Sequence, residues 1–192
     1  QAQNWDWIAN QIKELNGYKP NVLNMFGYTG ASTLAAAAKG ANVTHLDASK
    51  TSVTWAKKNL ESSGLSDCSV RWIVDDAEKF LLRENRRNRK YDALIMDPPS
   101  FGRGPKGEVW NIETQMTTLL SLCKNILSNS PKFILLTTHS PGVSSLTLKN
   151  MLIKFLVSPN SGTFQMGDMS IYDTASDLQL PNGFYARFSA NS

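Results

Sequence analysis

The residue types that point most directly to chemistry lie in one short stiff segment, Asp97-Pro98-Pro99-Ser100-Phe101. It directly follows an apolar run at residues 91–96. Two consecutive prolines end a β-ladder and restrict the backbone, and stiffness is what the positioning of reacting groups requires. Carbonyls freed in this way can accept from an amine, and Phe101 offers a face on which a base could stack. We predict a catalytic role for Asp97, Pro98, Pro99 and Phe101; a rigid structural turn is the alternative.

A second candidate is a glycine-containing segment that follows the apolar run at residues 22–26. Two glycines allow the backbone to approach a ligand closely. A Gly-x-x-Gly spacing is less specific than the full dinucleotide fingerprint, and a tight turn that binds nothing explains it equally well. The residues predicted here to bind a cofactor are Phe26, Gly27, Tyr28, Thr29 and Gly30.

Two further segments carry acceptors suited to adenosine. Asp47 lies about 20 residues beyond the first glycine, where a carboxylate can accept from both hydroxyls of a ribose. Asp76 could accept from the amine of adenine while the Ala77 N–H donates to a ring nitrogen. Both aspartates also suit helix N-caps. The pattern favours an adenosine-containing cofactor without separating NAD from S-adenosylmethionine. The cofactor residues predicted here are Asp47, Ala48, Ser49, Asp76, Ala77 and Asp97.

Three polar residues are candidates for holding a substrate. Arg103 and Lys106 follow the Asp-Pro-Pro segment and are placed to contact phosphate. His139, at a predicted strand end, could accept a proton near neutral pH or be a residue bonded to backbone. His45, inside a predicted strand, is interpreted as structural. Since the two histidines and two cysteines share no metal-ligand spacing, we predict that no metal is bound.

The elements that would position these residues alternate regularly. Predicted strands at residues 22–26, 43–47, 70–74, 91–96 and 133–138 are separated by segments of helical period. This alternation predicts a doubly wound α/β fold with helices on both faces of a parallel sheet, and ligands at the carboxyl ends of its strands. Two more strands, at residues 164–172 and 184–188, predict a C-terminal antiparallel hairpin with Pro181-Asn182-Gly183 as turn residues. The expected sheet is Rossmann-like and seven-stranded.

Taken together, these segments resemble class I S-adenosylmethionine-dependent methyltransferases. More narrowly, they resemble a bacterial branch of the large-subunit ribosomal-RNA methyltransferase group that includes the 5-methylcytosine and 7-methylguanine enzymes. The resemblance implies S-adenosylmethionine as cofactor, with residues 26–30 at the methionine end, Asp47 on the ribose, and Asp76 with Ala77 on the adenine. It implies Asp97 beside the sulfonium and an RNA, foremost ribosomal, as substrate. The segments that carry it are residues 21–30, 46–49, 75–77, 97–101, 102–110 and 137–141.

The sequence departs from that family pattern at two places. Asn24 stands nearest to where many methyltransferases carry an acidic residue, so a direct charge partner for the cofactor ammonium is not expected. Cytosine-5 methylation uses a cysteine nucleophile, which in the related enzymes follows strand five, whereas residues 135–140 contain no thiol. We therefore predict methylation of a base nitrogen by direct transfer, which depends mainly on alignment.

Composition sets broad limits. With 192 residues, 41% hydrophobic and 19% charged, the sequence fits one globular domain over residues 1–192 rather than a disordered or membrane-spanning chain. Its net charge of +4 permits RNA binding without requiring it. Cysteine usage predicts a cytoplasmic protein, and the start at Gln1 leads us to expect a fragment of a longer chain lacking an N-terminal part. The oligomeric state stays open.

Two other functions stay open at this point. An NAD-dependent oxidoreductase explains Gly27, Gly30 and Asp47 but not the Asp-Pro-Pro segment or the terminal hairpin. A non-catalytic RNA-binding or cofactor-sensing module on the same fold would bind its ligands without turnover.

Overall fold

The computed structural model describes residues 1–191; Ser192, which the single-domain prediction included, lies outside the described residues. Helices and strands alternate through most of this range. In chain order the elements are α1 (Ala2–Lys13), β1 (Asn21–Met25), α2 (Ala31–Ala37), β2 (Asn42–Asp47), α3 (Lys50–Ser62), β3 (Val70–Val74), α4 (Ala77–Arg86), β4 (Ala93–Met96), β5 (Phe101–Arg103), β6 (Val109–Asn111), α5 (Ile112–Ile126), β7 (Phe133–Thr138), α6 (Ser145–Phe155), β8 (Gly162–Tyr172) and β9 (Gln179–Ala190).

The main sheet has seven strands in the order β3-β2-β1-β4-β7-β9-β8. The first five strands are parallel, and β9 runs antiparallel between β7 and β8. The predicted doubly wound, mostly parallel seven-stranded sheet with a C-terminal hairpin is therefore confirmed. The chain changes direction across the sheet between β1 and β4, which in such folds is where ligands bind.

Helices cover both faces of this sheet, which explains why its central strands are continuous apolar runs. Strand residues alternate between the two sides, so that Val22 faces one core and Leu23 the other. Helices α1, α2 and α3 pack on the first side, and α4, α5 and α6 pack on the second. The buried helix residues on the first side include Ile8, Ile12, Ala36, Ala37 and Leu60, and those on the second include Phe80, Leu119 and Leu152.

The terminal hairpin differs from the prediction in where its turn lies. Pro181-Asn182-Gly183 was expected to form the turn, but β9 already begins at Gln179 and Pro181 pairs with Ser170. The prediction is wrong because these residues occupy an irregularity of the ladder, where the register shifts between Asp168 and Ser170. The turn lies in residues 173–178, where the Asp173 carboxylate accepts from the Ala175 N–H.

Helix α1 is joined to the other end of the chain through Arg187 of β9. The Arg187 guanidinium, 9% exposed, donates to the Asn4 side chain at 2.6 and 3.0 Å and to the Gln3 carbonyl at 3.1 Å. Its charge also lies over the Tyr185 ring, 4.4 Å from the ring centre. Burial lowers the pKa of Arg187 from its ordinary value. The contact fixes α1 beside the hairpin.

A charged cluster lies beneath the start of β4. Helix α4 continues to Arg86, and Glu84 within it is fully buried. Its carboxylate accepts from Arg71 at 2.8 Å and from the Tyr91 hydroxyl at 2.7 Å. Burial by itself raises the pKa of Glu84, but the hydrogen bonds from Arg71 and Tyr91 outweigh it and hold that pKa below its ordinary value.

Replacing Glu84 by Ala is expected to lower the free energy of unfolding by about 3 kcal/mol, because Arg71 and Tyr91 lose a buried acceptor. Because the folded-state pKa is lowered, the stabilisation is present above the unfolded pKa of about 4.3. It is lost as pH falls through the lower folded value. Urea denaturation of both forms at pH 7 and in the acid range measures the effect. Arg87→Ala, which removes a mostly exposed partner, serves as the control and should cost under about 1 kcal/mol; equal costs would contradict the expectation.

Candidate functional site

A cleft of about 460 Å³ opens at the carboxyl ends of the parallel strands. Residues that follow β1, β2, β3, β4 and β7 all contribute to it, and the β5–β6 hairpin forms one wall. The sequence predicted that strand ends would carry the site, and the structure brings these ends together. The lining residues are Phe26, Tyr28, Leu46, Asp47, Ala48, Ser49, Ser52, Asp75, Asp76, Ala77, Asp97, Pro98, Pro99, Gly102, Arg103, Gly104, Trp110 and His139.

The loop after β1 has an unusual backbone. Phe26 and Tyr28 are not glycines, yet their φ angles are 56° and 47°. Left-handed conformations of this kind cost about 1–3 kcal/mol and cluster at functional sites. Gly27 between them is required for space, because a Cβ there would lie 2.5 Å from the Cε1 atom of His45. Gly30, with φ of 92°, is the N-cap of α2.

A buried polar network supports this loop from below. The Asn24 amide donates to the Thr33 hydroxyl at 2.8 Å, and that hydroxyl lies 2.8 Å from Nδ1 of His45. Either the Thr33 hydroxyl or the His45 ring can donate in this contact, depending on the tautomer of His45. Burial lowers the pKa of His45 to about 4, so the ring is neutral at pH 7. The structural role predicted for His45 fits this position, and Asn24 is bound inside the network rather than lining the cleft.

Asp47 is held in the cleft by backbone donors. Its carboxylate accepts from the Tyr28 N–H at 2.9 Å and the Ser49 N–H at 2.8 Å. The N-cap of α3 is Ser49, whose hydroxyl accepts from the Ser52 N–H. The alternative interpretation of Asp47 as the helix cap is therefore wrong, since its carboxylate fixes the β1–α2 loop instead.

The two aspartates that follow β3 make different contacts. Asp76 caps α4 by accepting from the Lys79 N–H at 3.0 Å, so the helix-cap interpretation is confirmed. It also lines the cleft, and its contact with adenine stays a prediction. Asp75 pairs with Arg83 and accepts from the Asp76 N–H at 2.9 Å. The Arg83 guanidinium on α4 therefore partly neutralises the charge of Asp75.

Asp97 is the most heavily contacted carboxylate in the cleft. Its Oδ1 accepts from the Thr137 hydroxyl at 2.5 Å and lies 3.7 Å from Nε2 of His139. Its Oδ2 accepts from the Gln1 amide at 3.1 Å. The pKa of His139 is raised because the Asp97 carboxylate stabilises the protonated ring. These contacts orient Asp97 and place a titratable ring beside it.

The stiff segment after Asp97 is supported by the adjoining hairpin. Trp110 on β6 is 7% exposed, donates from Nε1 to the Pro99 carbonyl at 2.7 Å, and packs on the Phe26 ring. The Trp110 ring thus anchors the cleft wall. The Pro99 carbonyl therefore already accepts a hydrogen bond from within the protein.

Not every predicted residue lines the cleft. Phe101 is 58% exposed and lies next to the lining residue Gly102, while Lys106 lies at the exposed tip of the β5–β6 hairpin. The hairpin is joined to α4 by the ion pair of Lys79 with Glu108. The remaining predicted residues outside the lining set are Gly27, Thr29 and Gly30, which shape the loop behind it.

Several contributors were missed from the sequence. Ser52 and Leu46 line the cleft but carry no motif of their own, and Thr137 acts through Asp97. The sequence feature that could have identified Thr137 is its position at the end of a buried strand. Cys123 is fully buried in α5, where burial raises the pKa of its thiol, and neither it nor Cys68 lines the cleft.

The described residues, 1–191, lack two structural features. They contain no group of three or more His, Cys, Asp or Glu side chains arranged to hold a metal ion. None of their helices has the length and apolar character needed to cross a membrane.

The sheet order and the position of the cleft define a Rossmann-like methyltransferase fold. The chain belongs to the family described as Conserved hypothetical protein 95, whose model matches residues 2–127. A crystal structure of a SAM-dependent methyltransferase from Agrobacterium tumefaciens is 36% identical in sequence to this chain and superimposes with a TM-score of 0.91. The match covers 100% of this chain and 62% of the chain in that crystal structure.

Curated relatives include two ribosomal RNA large subunit methyltransferases. Methyltransferase K/L of Shewanella frigidimarina is 33% identical over 116 residues, and methyltransferase K of Neisseria meningitidis is 31% identical over 109 residues. The aligned parts are 59% and 56% of this chain. They span 16% and 31% of those relatives' lengths, so the chain is similar to only part of each.

We expect Gly27→Ala to lower the free energy of unfolding by about 1–3 kcal/mol, because its Cβ would overlap the His45 ring. In a His45→Ala background the same change should cost at least about 1 kcal/mol less, since the obstruction is gone. Chemical denaturation of the four variants gives this coupling energy. Gly142→Ala, where a Cβ would have nothing within 4 Å, is the matched control. Additive costs would exclude the contact as the cause.

The chain has two histidines, and their pKa values are expected to differ widely. NMR titration of the ring protons should give about 4 for His45 and a value above the ordinary 6.5 for His139. Asp97→Asn should lower the pKa of His139, because the stabilising charge is removed while partial burial remains. His45, on the far side of the loop, reports on intact folding by keeping its value. An unchanged His139 titration would show that Asp97 does not act on it.

Proposed function

We propose that this domain is an S-adenosylmethionine-dependent methyltransferase that acts on RNA, with ribosomal RNA as the foremost substrate and a base nitrogen as acceptor. The observation that carries the proposal is that Asp47, Asp76 and Asp97, from three different strand ends, line a single cleft. The relatives named as methyltransferases support the same activity.

The cleft has the size and chemistry to hold S-adenosylmethionine. Its volume of about 460 Å³ lies within the range of about 300–1,000 Å³ usual for ligand pockets. Apolar walls, among them Leu46 and Ala77, suit an adenine ring, and the carboxylate of Asp47 suits the ribose hydroxyls. Ala48 and Ser49 adjoin Asp47 on the ribose side, and residues 26–30 would hold the methionine end. When bound, the cofactor supplies a methyl group on a positively charged sulfonium.

The acceptor would be held by the segment after β4. Asp97, fixed by Thr137, can accept from an amine of the target base, while Pro98 and Pro99 keep the backbone rigid. Alignment of this kind can supply a large part of a rate enhancement, because it removes the entropy cost of bringing the groups together. His139, beside Asp97, gives a further contact to the substrate and a group that can exchange a proton.

RNA would enter across the β5–β6 hairpin. Arg103 lines the cleft, Lys106 lies at the hairpin tip, and the exposed Phe101 ring is available for stacking on a base. Two curated relatives are named for ribosomal RNA. Direct transfer of the methyl group to nitrogen needs alignment of the reacting groups rather than a metal ion. A ribosomal RNA substrate implies a cytoplasmic enzyme.

The test is transfer of a tritiated methyl group from S-adenosylmethionine to fractionated cellular RNA and protein. Label is expected in large-subunit ribosomal RNA. Asp97→Asn should reduce turnover at least about 100-fold by removing charge next to the acceptor. Asp47→Ala should weaken S-adenosylhomocysteine binding, measured by calorimetry, by about 10-fold or more because the ribose loses its acceptor.

Asp67→Asn, on an exposed carboxylate outside the cleft, is the control and should leave both quantities unchanged. Binding of NAD in place of S-adenosylhomocysteine would overturn the proposal in favour of an oxidoreductase. Binding of RNA and cofactor with no turnover by the wild type would indicate a non-catalytic module.

A further inference from the structure

The outward face of α3 combines an exposed tryptophan with unpaired lysines. Trp55 is 58% exposed, although tryptophan side chains are on average highly buried. Lys50 and Lys58 are exposed, and within residues 1–191 neither lies within 4 Å of a carboxylate oxygen. Glu61, near the end of α3, is the acidic residue of this helix. The face is therefore basic and carries an available aromatic ring.

This face is rigidly connected to the cleft. The first turn of α3 contributes Ser49 and Ser52 to the cleft lining. Further along, the Asn59 amide donates to the Thr29 carbonyl at 2.9 Å, and Ala56 packs against Gly30 so closely that a Cβ there would lie 2.9 Å from it. The basic face consequently has a fixed position beside the β1–α2 loop.

We propose that Lys50, Trp55 and Lys58, which line one shallow groove on α3, form an RNA-binding face that holds the strand flanking the target nucleotide. The inference rests on the proposed function, because it takes RNA as the substrate. Lysine ammonium groups pair with phosphates, and an exposed indole stacks on any base, which is the chemistry of sequence-tolerant binding of single strands. The exposed apolar side chains at the tip of the β8–β9 hairpin, among them Leu178, lie beside Asp173 and Asp177 and do not suit RNA.

The dimensions of the face suit a short stretch of RNA. Lys50 and Lys58 are eight residues apart, which corresponds to about 12 Å along a helix axis. This length suits contact with a few nucleotides of single-stranded RNA. The lysines would determine affinity and salt dependence, while Trp55 would fix the position of one base.

The experiment compares a charge-reversed face with matched charge reversals elsewhere. The face variant is Lys50→Glu with Lys58→Glu. The control carries Lys13→Glu and Lys154→Glu, which reverse two exposed cations of α1 and α6 and change the net charge equally. Binding of protein-free large-subunit ribosomal RNA is measured over a range of salt concentrations. KM, kcat and S-adenosylhomocysteine affinity are measured alongside.

The face variant should raise KM for RNA at least about 10-fold and reduce the slope of log K against log salt by about 1–2. Its kcat and cofactor affinity should stay unchanged. Trp55→Ala should raise KM about 10-fold with the salt slope unchanged, and Trp55→Tyr should restore most of the loss because a ring remains. The control variant should keep most of the wild-type affinity.

The outcomes separate the two proposals. If the wild type methylates RNA but the face and control variants behave alike, the RNA-binding face is wrong and the proposed function stands. If the wild type neither binds nor methylates RNA, both are overturned. A Trp55→Ala variant with wild-type KM would overturn the stacking role on its own.

Discussion

The parallel alignment of five neighbouring strands is the constraint on which the rest of the structure depends. In this ladder Met25 lies beside Leu46 and Met96, and Met96 lies beside Leu136. The residues that follow therefore emerge at the same edge, so backbone pairing alone brings Phe26, Asp47, Asp97 and Thr137 together. Side-chain hydrogen bonds then orient groups that backbone pairing has already placed.

The β1–α2 loop shows how that placement is made rigid. Phe26 and Tyr28 adopt left-handed conformations that are unfavourable for residues with side chains. The Asp47 carboxylate accepts from the Tyr28 N–H, and the His45 ring fills the space below Gly27. The strain is thus offset by one hydrogen bond from the side and by close packing from beneath. A loop held in this way is formed before any ligand arrives.

Much of this arrangement could be predicted because it depends on local patterns. Continuous apolar runs identify buried parallel strands, and the polar residues directly after them identify the strand ends, so Asp47, Asp76 and Asp97 were found. The β5–β6 hairpin was not found, since its strands have three residues each and no clear alternation. Thr137 and Trp110 act through contacts 40 and 11 residues away, which no local pattern reveals.

The link between α1 and β9 has a consequence for the order in which the domain is completed. Arg187 and Asn4 are 183 residues apart along the chain. Strand β9 lies between β7 and β8, so β8 cannot join the sheet during synthesis until β9 has left the ribosome. The amphipathic helix α1 is made long before its partner on β9 exists. Contacts of such high sequence separation form slowly, so the hairpin and α1 should close the domain last.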